Sequence, residues 1–281
     1  MASVKEQWNL TLRAWRESAP FWERHAAVIR AMFEPLSSSL IEAAGVGPDD
    51  LALDVASGVG EPALQIAATR KPALVVCTDA VREMVIAAKR VAARSGASNL
   101  GFAQCAAEAL PFRSGRFDAV VCRLGAMFFT APVASLREML RVLAPGGRIA
   151  LAVWHGSESN PFFGTTVQVL ARHVVLPAPT PDGPGAFRYA QPGKLAGLLA
   201  EAGAQGIQER AIDFQIEAPV RLEDFWPLRF EMSDTLRPLP AQLSPERLRA
   251  AKAELEEAIR PYFPQGRMRF PARAILVSGR R

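Results

Sequence analysis

Between Asp50 and Trp154 the chain repeats one pattern: a short apolar run, a turn, then a segment of helical length. This alternation limits the fold more than any other feature. The runs "LALDVA", "ALVVCTD", "LGFAQC", "RFDAVVCR" and "RIALAVW" are near-continuously apolar, as strands buried on both faces must be. Between them lie "EPALQIAATR", "VREMVIAAKRVAARSG" and "PVASLREMLRVLAPGG", which read as helices. Pro62 suits a first helical turn, Gly96 closes the second helix, and a Pro-Gly-Gly turn ends the third. Strands and helices alternating at these lengths predict an α/β fold, a parallel sheet with helices on both faces.

The flanks read differently. Residues 1–44 are helical, with Trp8, Trp15 and Trp22 recurring every seven residues and Leu12 and Ala19 between them. Pro20 is expected to break or restart that helix. The stripe fits either an aromatic face packed on a core or a lid over a pocket. After Gly156, "SNPFFGTTVQVLARHVV" and "KLAGLLAEAG" read as helices around a Pro- and Gly-rich loop, and "IQERAIDFQI" as a sixth strand. Residues 219–270 hold aromatics, prolines and a long charged helix, with Ser244 as its N-cap and Pro245 and Glu246 in its first turn. "ARAILVSGR" is the seventh strand. The expected units are a helical lid at 1–44, a core at 45–218, a helical insertion at 219–270 and a last strand at 271–281.

Composition narrows the class. The chain has 281 residues, 49% hydrophobic and 22% charged, which suits one large globular domain with additions. No apolar run reaches about 18 residues, so no membrane span is expected. "MASVKEQWNLTLRAWRESAP" lacks a secretory apolar region, which points to a cytoplasmic protein. Cys77, Cys105 and Cys122 lack metal-ligand spacing and lie in strand-like segments, so buried reduced thiols and no metal are expected. The net charge is +5, but the arginines are scattered, and Arg260 to Arg281 is the one acid-free basic run. That distribution suits a solvated face better than a nucleic-acid surface. It leaves the oligomeric state open.

The chemistry is carried by "LDVASGVGEP", Leu53 to Pro62. From Gly58 to Ala63 it matches G-x-G-x-x-G/A, the dinucleotide pattern. Counted from Asp54 it also reads acid, three residues, Gly, one residue, Gly. Glycines there let a backbone turn sharply and a ligand approach closely. Asp79 ends the second strand about 20 residues further on, placed to accept both hydroxyls of a ribose. NAD and S-adenosylmethionine both carry that ribose. After the third strand, Glu108 in "AAEALPF" is placed to accept from an exocyclic adenine amine.

The ordered series "LDVASGVGEPAL", "TDAVREMV", "AAEALPF", "FDAVVCRLGAMFF" and "LRVLAPGGRIAL", within residues 51–154, resembles the class I S-adenosylmethionine-dependent methyltransferases. The subgroup it most resembles is that of the ubiquinone/menaquinone-biosynthesis methyltransferases and their small-molecule relatives. The resemblance implies a Rossmann-like seven-stranded sheet with its last strand antiparallel, and additions at 1–44, 156–200 and 219–270 that cover the pocket. It implies that Asp54 and backbone atoms of Ala56, Ser57, Gly58 and Gly60 hold the methionine end. Asp79 would bind the ribose, Ala80 and Met84 would flank the adenine, and Ala107 and Glu108 would bind its edge. Arg123 and Leu124 would line the sulfonium and substrate side. The chain departs from the quinone enzymes at "RLGAMFF", where they carry an asparagine-containing segment, and in the length of 219–270. The first departure weakens a quinone-ring acceptor and the second points to a different substrate; the aromatic-rich additions suit a small hydrophobic or aromatic molecule.

Methyl transfer is an in-line displacement that needs alignment more than proton transfer. If a base is used, His155, directly after the fifth strand, and His25, in the possible lid, are the candidates, ahead of His173. "NPFF" at Asn160 to Phe163 follows the wrong strand and lacks the second proline of the nucleic-acid amino methyltransferase motif. A nicotinamide oxidoreductase of the short-chain type needs Tyr-x-x-x-Lys, and here Tyr189 and Tyr262 are each followed four residues later by glycine. A non-catalytic S-adenosylmethionine-binding relative is the other alternative.

Overall fold

The chain opens with two helices, α1 (Val4–Arg24) and α2 (Ala26–Ala44). A computed structural model of the protein describes residues 4–176 and 182–281; residues 177–181, inside the expected Pro- and Gly-rich loop, lie outside the described residues. Pro20 does not break α1. It is exposed, as is Arg16 one turn earlier, so the carbonyl that loses its partner faces water. The break falls instead at His25 (φ −94°, ψ 11°).

The alternating region then runs β1 (Leu51–Val55), α3 (Ala63–Arg70), β2 (Leu74–Asp79), α4 (Arg82–Ser95), β3 (Leu100–Gln104), β4 (Phe117–Arg123), α5 (Pro132–Val142) and β5 (Leu143–Trp154). After it come α6 (Pro161–Leu170), α7 (Lys194–Glu201), β6 (Gln205–Ala218), α8 (Leu222–Glu231), α9 (Pro245–Ile259) and β7 (Met268–Arg280). Among the described residues these strands form one seven-stranded sheet in the order β3-β2-β1-β4-β5-β7-β6. The strands from β3 to β5 are parallel, and β7 is antiparallel to both β5 and β6. Leu53 pairs with Val76 on one side and Val120 on the other, and Val120, Val121, Ile149 and Leu151 are fully buried. Each such side chain contributes roughly 1.5–3 kcal/mol.

Two further local expectations change. The Pro-Gly-Gly turn is taken into β5, whose register against β4 shifts between Phe117 and Ala119. Helix α9 begins as expected, with Ser244 Oγ accepting from the Arg247 N–H at 3.3 Å. Strand β7 starts at Met268, inside the expected insertion, and pairs with β6 along its whole length. Pro271 hides this start, because proline cannot donate to a ladder. It is tolerated because β5 pairs only from Ala274 onward, so β7 has a free edge at Pro271.

The 156–200 and 219–270 additions meet around the outer half of β7. Phe162, Phe225 and Phe270 pack there with ring centroids 5.4–5.6 Å apart, and Tyr262 stacks on Phe270 at 4.5 Å. Arg229 is buried over the rings of Phe162 and Phe163, and burial pushes its pKa down to about 10. From here the insertion reaches the N-terminal helices. Glu231 accepts from Arg24 at 3.0 Å and meets His25 Nε2 at 2.7 Å, and Arg237 donates to Ser18 Oγ at 2.7 Å. The basic tail is largely built into β7, where Arg269 pairs with Glu217 and Arg273 with Asp213. Among the described residues no helix is long and apolar enough to cross a membrane. Cys77 and Cys122 are buried, Cys105 is half-buried, and all three are free thiols.

Candidate active site

The strand order reverses between β1 and β4, and the loops leaving their carboxyl ends diverge there, where open α/β sheets bind ligands. A cleft with about 990 Å³ of empty space, counting its open mouth, occupies this point. Strand ends make its floor: Ala56, Ser57 and Gly58 after β1, Asp79 and Ala80 at β2, Ala107 and Glu108 after β3, and Arg123 and Leu124 at β4. Helices make its roof: Trp8, Leu12, Trp15 and Trp22 from α1, and Ile29 and Phe33 from α2. Phe128 and Phe129, after β4, and Met84, of α4, complete the wall.

The floor has the backbone geometry of a close-approach site. Ala56 (φ 57°), Gly58 (φ 55°) and Leu124 (φ 61°) all take the left-handed conformation. A Cβ added to Gly58 would meet nothing within 4 Å, so the turn leaves that space to a ligand. Gly125 is glycine for the opposite reason: a Cβ there would come within 2.5 Å of the Ala56 Cβ. The β1 and β4 loops therefore pack against each other directly beneath the cleft.

Asp79 ties the turn to β2. Its Oδ2 accepts the Gly58 N–H at 3.0 Å and its Oδ1 the Val81 N–H at 2.9 Å. A carboxylate has about four lone-pair sites, so acceptor capacity remains for ribose hydroxyls. Burial pushes the Asp79 pKa up to about 6, opposed by the backbone hydrogen bonds from Val81, Gly58 and Ala80. Asp54 stands behind the turn, outside the cleft lining. It is fully buried, its Oδ2 accepts the Ala63 N–H at 3.0 Å at the start of α3, and its Oδ1 has no partner. Burial pushes Asp54 up to about 8, with Arg123 and the Ala63 N–H opposing the rise. Gly60 also faces inward, where a Cβ would lie 3.2 Å from Leu64.

The structure thus brings Ala56, Ser57, Gly58, Asp79, Ala80, Met84, Ala107, Glu108, Arg123 and Leu124 into one lining, and sets Asp54 and Gly60 behind it. His25 and His155 lie outside it. His25 is engaged by Glu231, and His155 Nδ1 accepts the Gly156 N–H at 2.8 Å. His173 meets Glu254 at 2.5 Å. The additions at 156–200 and 219–270 contribute no lining residue among those described. Sequence reasoning missed Glu61, Phe33, Phe128 and Phe129, which all line the cleft. An acid directly after the Gly58–Gly60 turn, and two consecutive aromatics after β4, were the available signals. Cys105 also lines the wall, with its thiol pushed up to about 11 by burial.

The parallel sheet, the switch-point cleft, the glycine turn and the acid ending β2 together define an α/β protein that binds an adenosine-containing cofactor. Comparison with known proteins narrows this. A family model described as a methyltransferase domain matches residues 53–151. An uncharacterised protein of Mycobacterium tuberculosis is 32% identical over 184 residues, 66% of this chain and 64% of that protein, so the chain spans just under two thirds of that relative. A demethylmenaquinone methyltransferase of Deinococcus radiodurans is 31% identical over 176 residues, 58% of this chain and 71% of the enzyme. The crystal structure of the YcgJ protein of Bacillus subtilis shares the fold, with a TM-score of 0.54 and 22% identity over 87% of this chain and 98% of that one. The chain belongs to the class I S-adenosylmethionine-dependent methyltransferases.

Proposed function

We propose that the protein transfers a methyl group from S-adenosylmethionine to a small hydrophobic or aromatic acceptor. The division of the cleft carries this reading. Its floor, built from strand ends, carries the charged groups Asp79, Glu108 and Arg123, whereas its roof is largely a set of indole and phenyl rings. Trp15 meets Trp22 edge-on at 5.4 Å and Phe128 at 5.0 Å, a wall that suits an apolar planar molecule.

The floor suits the cofactor. The space above Gly58 is open, Asp79 offers free lone pairs to the ribose, and Glu108 offers a carboxylate to the adenine amine. Ala80, Met84 and Ala107 supply flat apolar surface for the base. Backbone atoms of Ala56, Ser57 and Gly58 would border the methionine end, with Arg123 and Leu124 toward the sulfonium. When bound, S-adenosylmethionine supplies an electrophilic methyl group for in-line displacement. The residues of the chain orient both ligands and exclude water. No histidine, lysine or tyrosine is among the described lining residues, and the titratable side chains there are Glu61, Asp79, Cys105, Glu108 and Arg123.

Calorimetry with S-adenosylhomocysteine, followed by a labelled-methyl transfer assay over a panel of aromatic acceptors, tests the reading. Saturable binding and transfer to panel members are expected. Binding of NADH with none for S-adenosylhomocysteine would overturn it, and cofactor binding without transfer across the panel would favour the non-catalytic relative.

A further inference from the structure

We infer that Arg188 is a positioning residue for the methyl acceptor. From outside the cleft it holds the Phe129 carbonyl, and so sets where the Phe128 and Phe129 rings stand in the cleft wall. The inference rests on the reading of the aromatic roof and wall as the acceptor's side of the cleft. It adds a control on that side from the 156–200 addition, which supplies no lining residue among those described.

The aromatic wall after β4 is one tight turn, Ala126–Phe128. Inside it the Phe128 N–H donates to the Gly125 carbonyl at 3.0 Å and the Phe129 N–H to the Ala126 carbonyl at 3.3 Å. The next two exits of the turn are held from the addition. The Gly185 N–H donates to the Met127 carbonyl at 3.2 Å, and Arg188 Nη1 donates to the Phe129 carbonyl. These two carbonyls flank Phe128, whose ring meets Trp15 of α1 edge-on at 5.0 Å. A single turn of this kind has little of its own to fix it, so bonds from outside decide its position. The bond from Arg188 is charge-assisted, and is the stronger of the two.

The segment that supplies these bonds is itself anchored. Its own turns are closed by the Arg188 N–H on the Gly185 carbonyl and the Ala190 N–H on the Phe187 carbonyl, both at 3.1 Å. Tyr189 is buried, with the Arg188 guanidinium 5.2 Å from its ring centre. Phe187 meets Phe163 of α6 at 5.9 Å, and Phe163 meets Trp154 of β5 at 4.9 Å. Asp182, whose carboxyl feels the Arg188 charge, is engaged by Lys194. Arg188 thus ties the acceptor wall to the aromatic cluster packed on β5. The cofactor floor, built from other strand ends, has no such tie to it.

The test uses as probe the tightest binder among phenol, 2-naphthol and 4-phenylphenol, titrated by calorimetry into protein saturated with S-adenosylhomocysteine. Arg188→Met keeps the length of the side chain and removes its donors; circular dichroism checks its folding. It should weaken the probe roughly tenfold and S-adenosylhomocysteine less than about twofold. Equal weakening of both, or none for the probe, would overturn the inference. In a Phe128→Leu background the ring being positioned is gone, so Arg188→Met should weaken the probe less than about twofold further. A second tenfold loss there would show that Arg188 does not act through Phe128. The unaltered protein gives a reading that needs no variant. Probe binding should slow amide hydrogen exchange in 183–190 as well as in 124–130, since coupling between the two is reciprocal. Protection confined to 124–130 would refute the tie. Binding of none of the three phenols, with S-adenosylhomocysteine still bound, would overturn the aromatic-acceptor reading and this inference with it, while leaving the cofactor reading intact.

Discussion

Replacing Asp54 with asparagine should change how stability responds to pH. The native carboxyl is fully buried, and burial raises its pKa from 3.8 to about 8. In the unfolded chain it titrates near 3.9. Between these values the folded protein holds a proton that the unfolded chain has released. A raised folded pKa gives stability that is full below about pH 4 and is lost as pH rises toward 8. The slope is about 1.36 kcal/mol per pH unit, so this one residue removes about 2.7 kcal/mol of stability between pH 5 and pH 7. Asp79, raised to about 6, acts in the same direction at the acid end of that window. Glu138 and Asp213, held below the usual carboxylate range by hydrogen bonds from Arg141 and Arg273, act in the opposite direction and at lower pH. The asparagine side chain would mimic the protonated carboxyl and keep an acceptor for the Ala63 N–H. Urea unfolding at pH 5, 6 and 7, followed by circular dichroism, measures the effect. Wild type should lose about 2–3 kcal/mol more than Asp54→Asn across that range. Parallel curves would refute the reasoning, because every other titrating group is common to both proteins.

Asp79→Ala removes both the proposed ribose acceptor and the anchor of the Gly58 N–H, and should weaken S-adenosylhomocysteine roughly 10- to 100-fold by calorimetry. Unchanged affinity would count against the ribose role. Trp15→Ala opens the roof between Trp22 and Phe128, and should lower methyl transfer while cofactor affinity stays within roughly threefold. A collapse of cofactor binding would instead put this indole on the cofactor side. His155→Ala should leave turnover within a few fold, since the imidazole caps Gly156 outside the cleft; a drop of roughly 100-fold would make it a base.

The parallel half of the sheet was legible because such strands are buried on both faces and read as apolar runs, closed by turn residues such as Gly96. Two of the misread boundaries share one cause. Pro20 and Pro271 are both local breakers, and whether a breaker acts depends on what faces it. Exposed Pro20 leaves a carbonyl to water, and Pro271 stands where β7 has one neighbour rather than two. Neither condition is written in the residues beside them.

The site divides in the same way. Residues whose place follows from their own strand end, such as Ala56, Gly58, Asp79, Glu108 and Arg123, were readable in advance and share one cleft. Glu61 follows the same turn, but its pairing with Arg30 of α2, 31 residues upstream, is not written beside it. The insertion's length suggested a cover for the acceptor; it packs on β7 and meets the N-terminal helices through Glu231 at Arg24 and His25 and through Arg237 at Ser18. The rings that line the cleft come instead from α1, α2 and the loop after β4. The insertion meets those helices at the His25 break, where Glu231 contacts the imidazole.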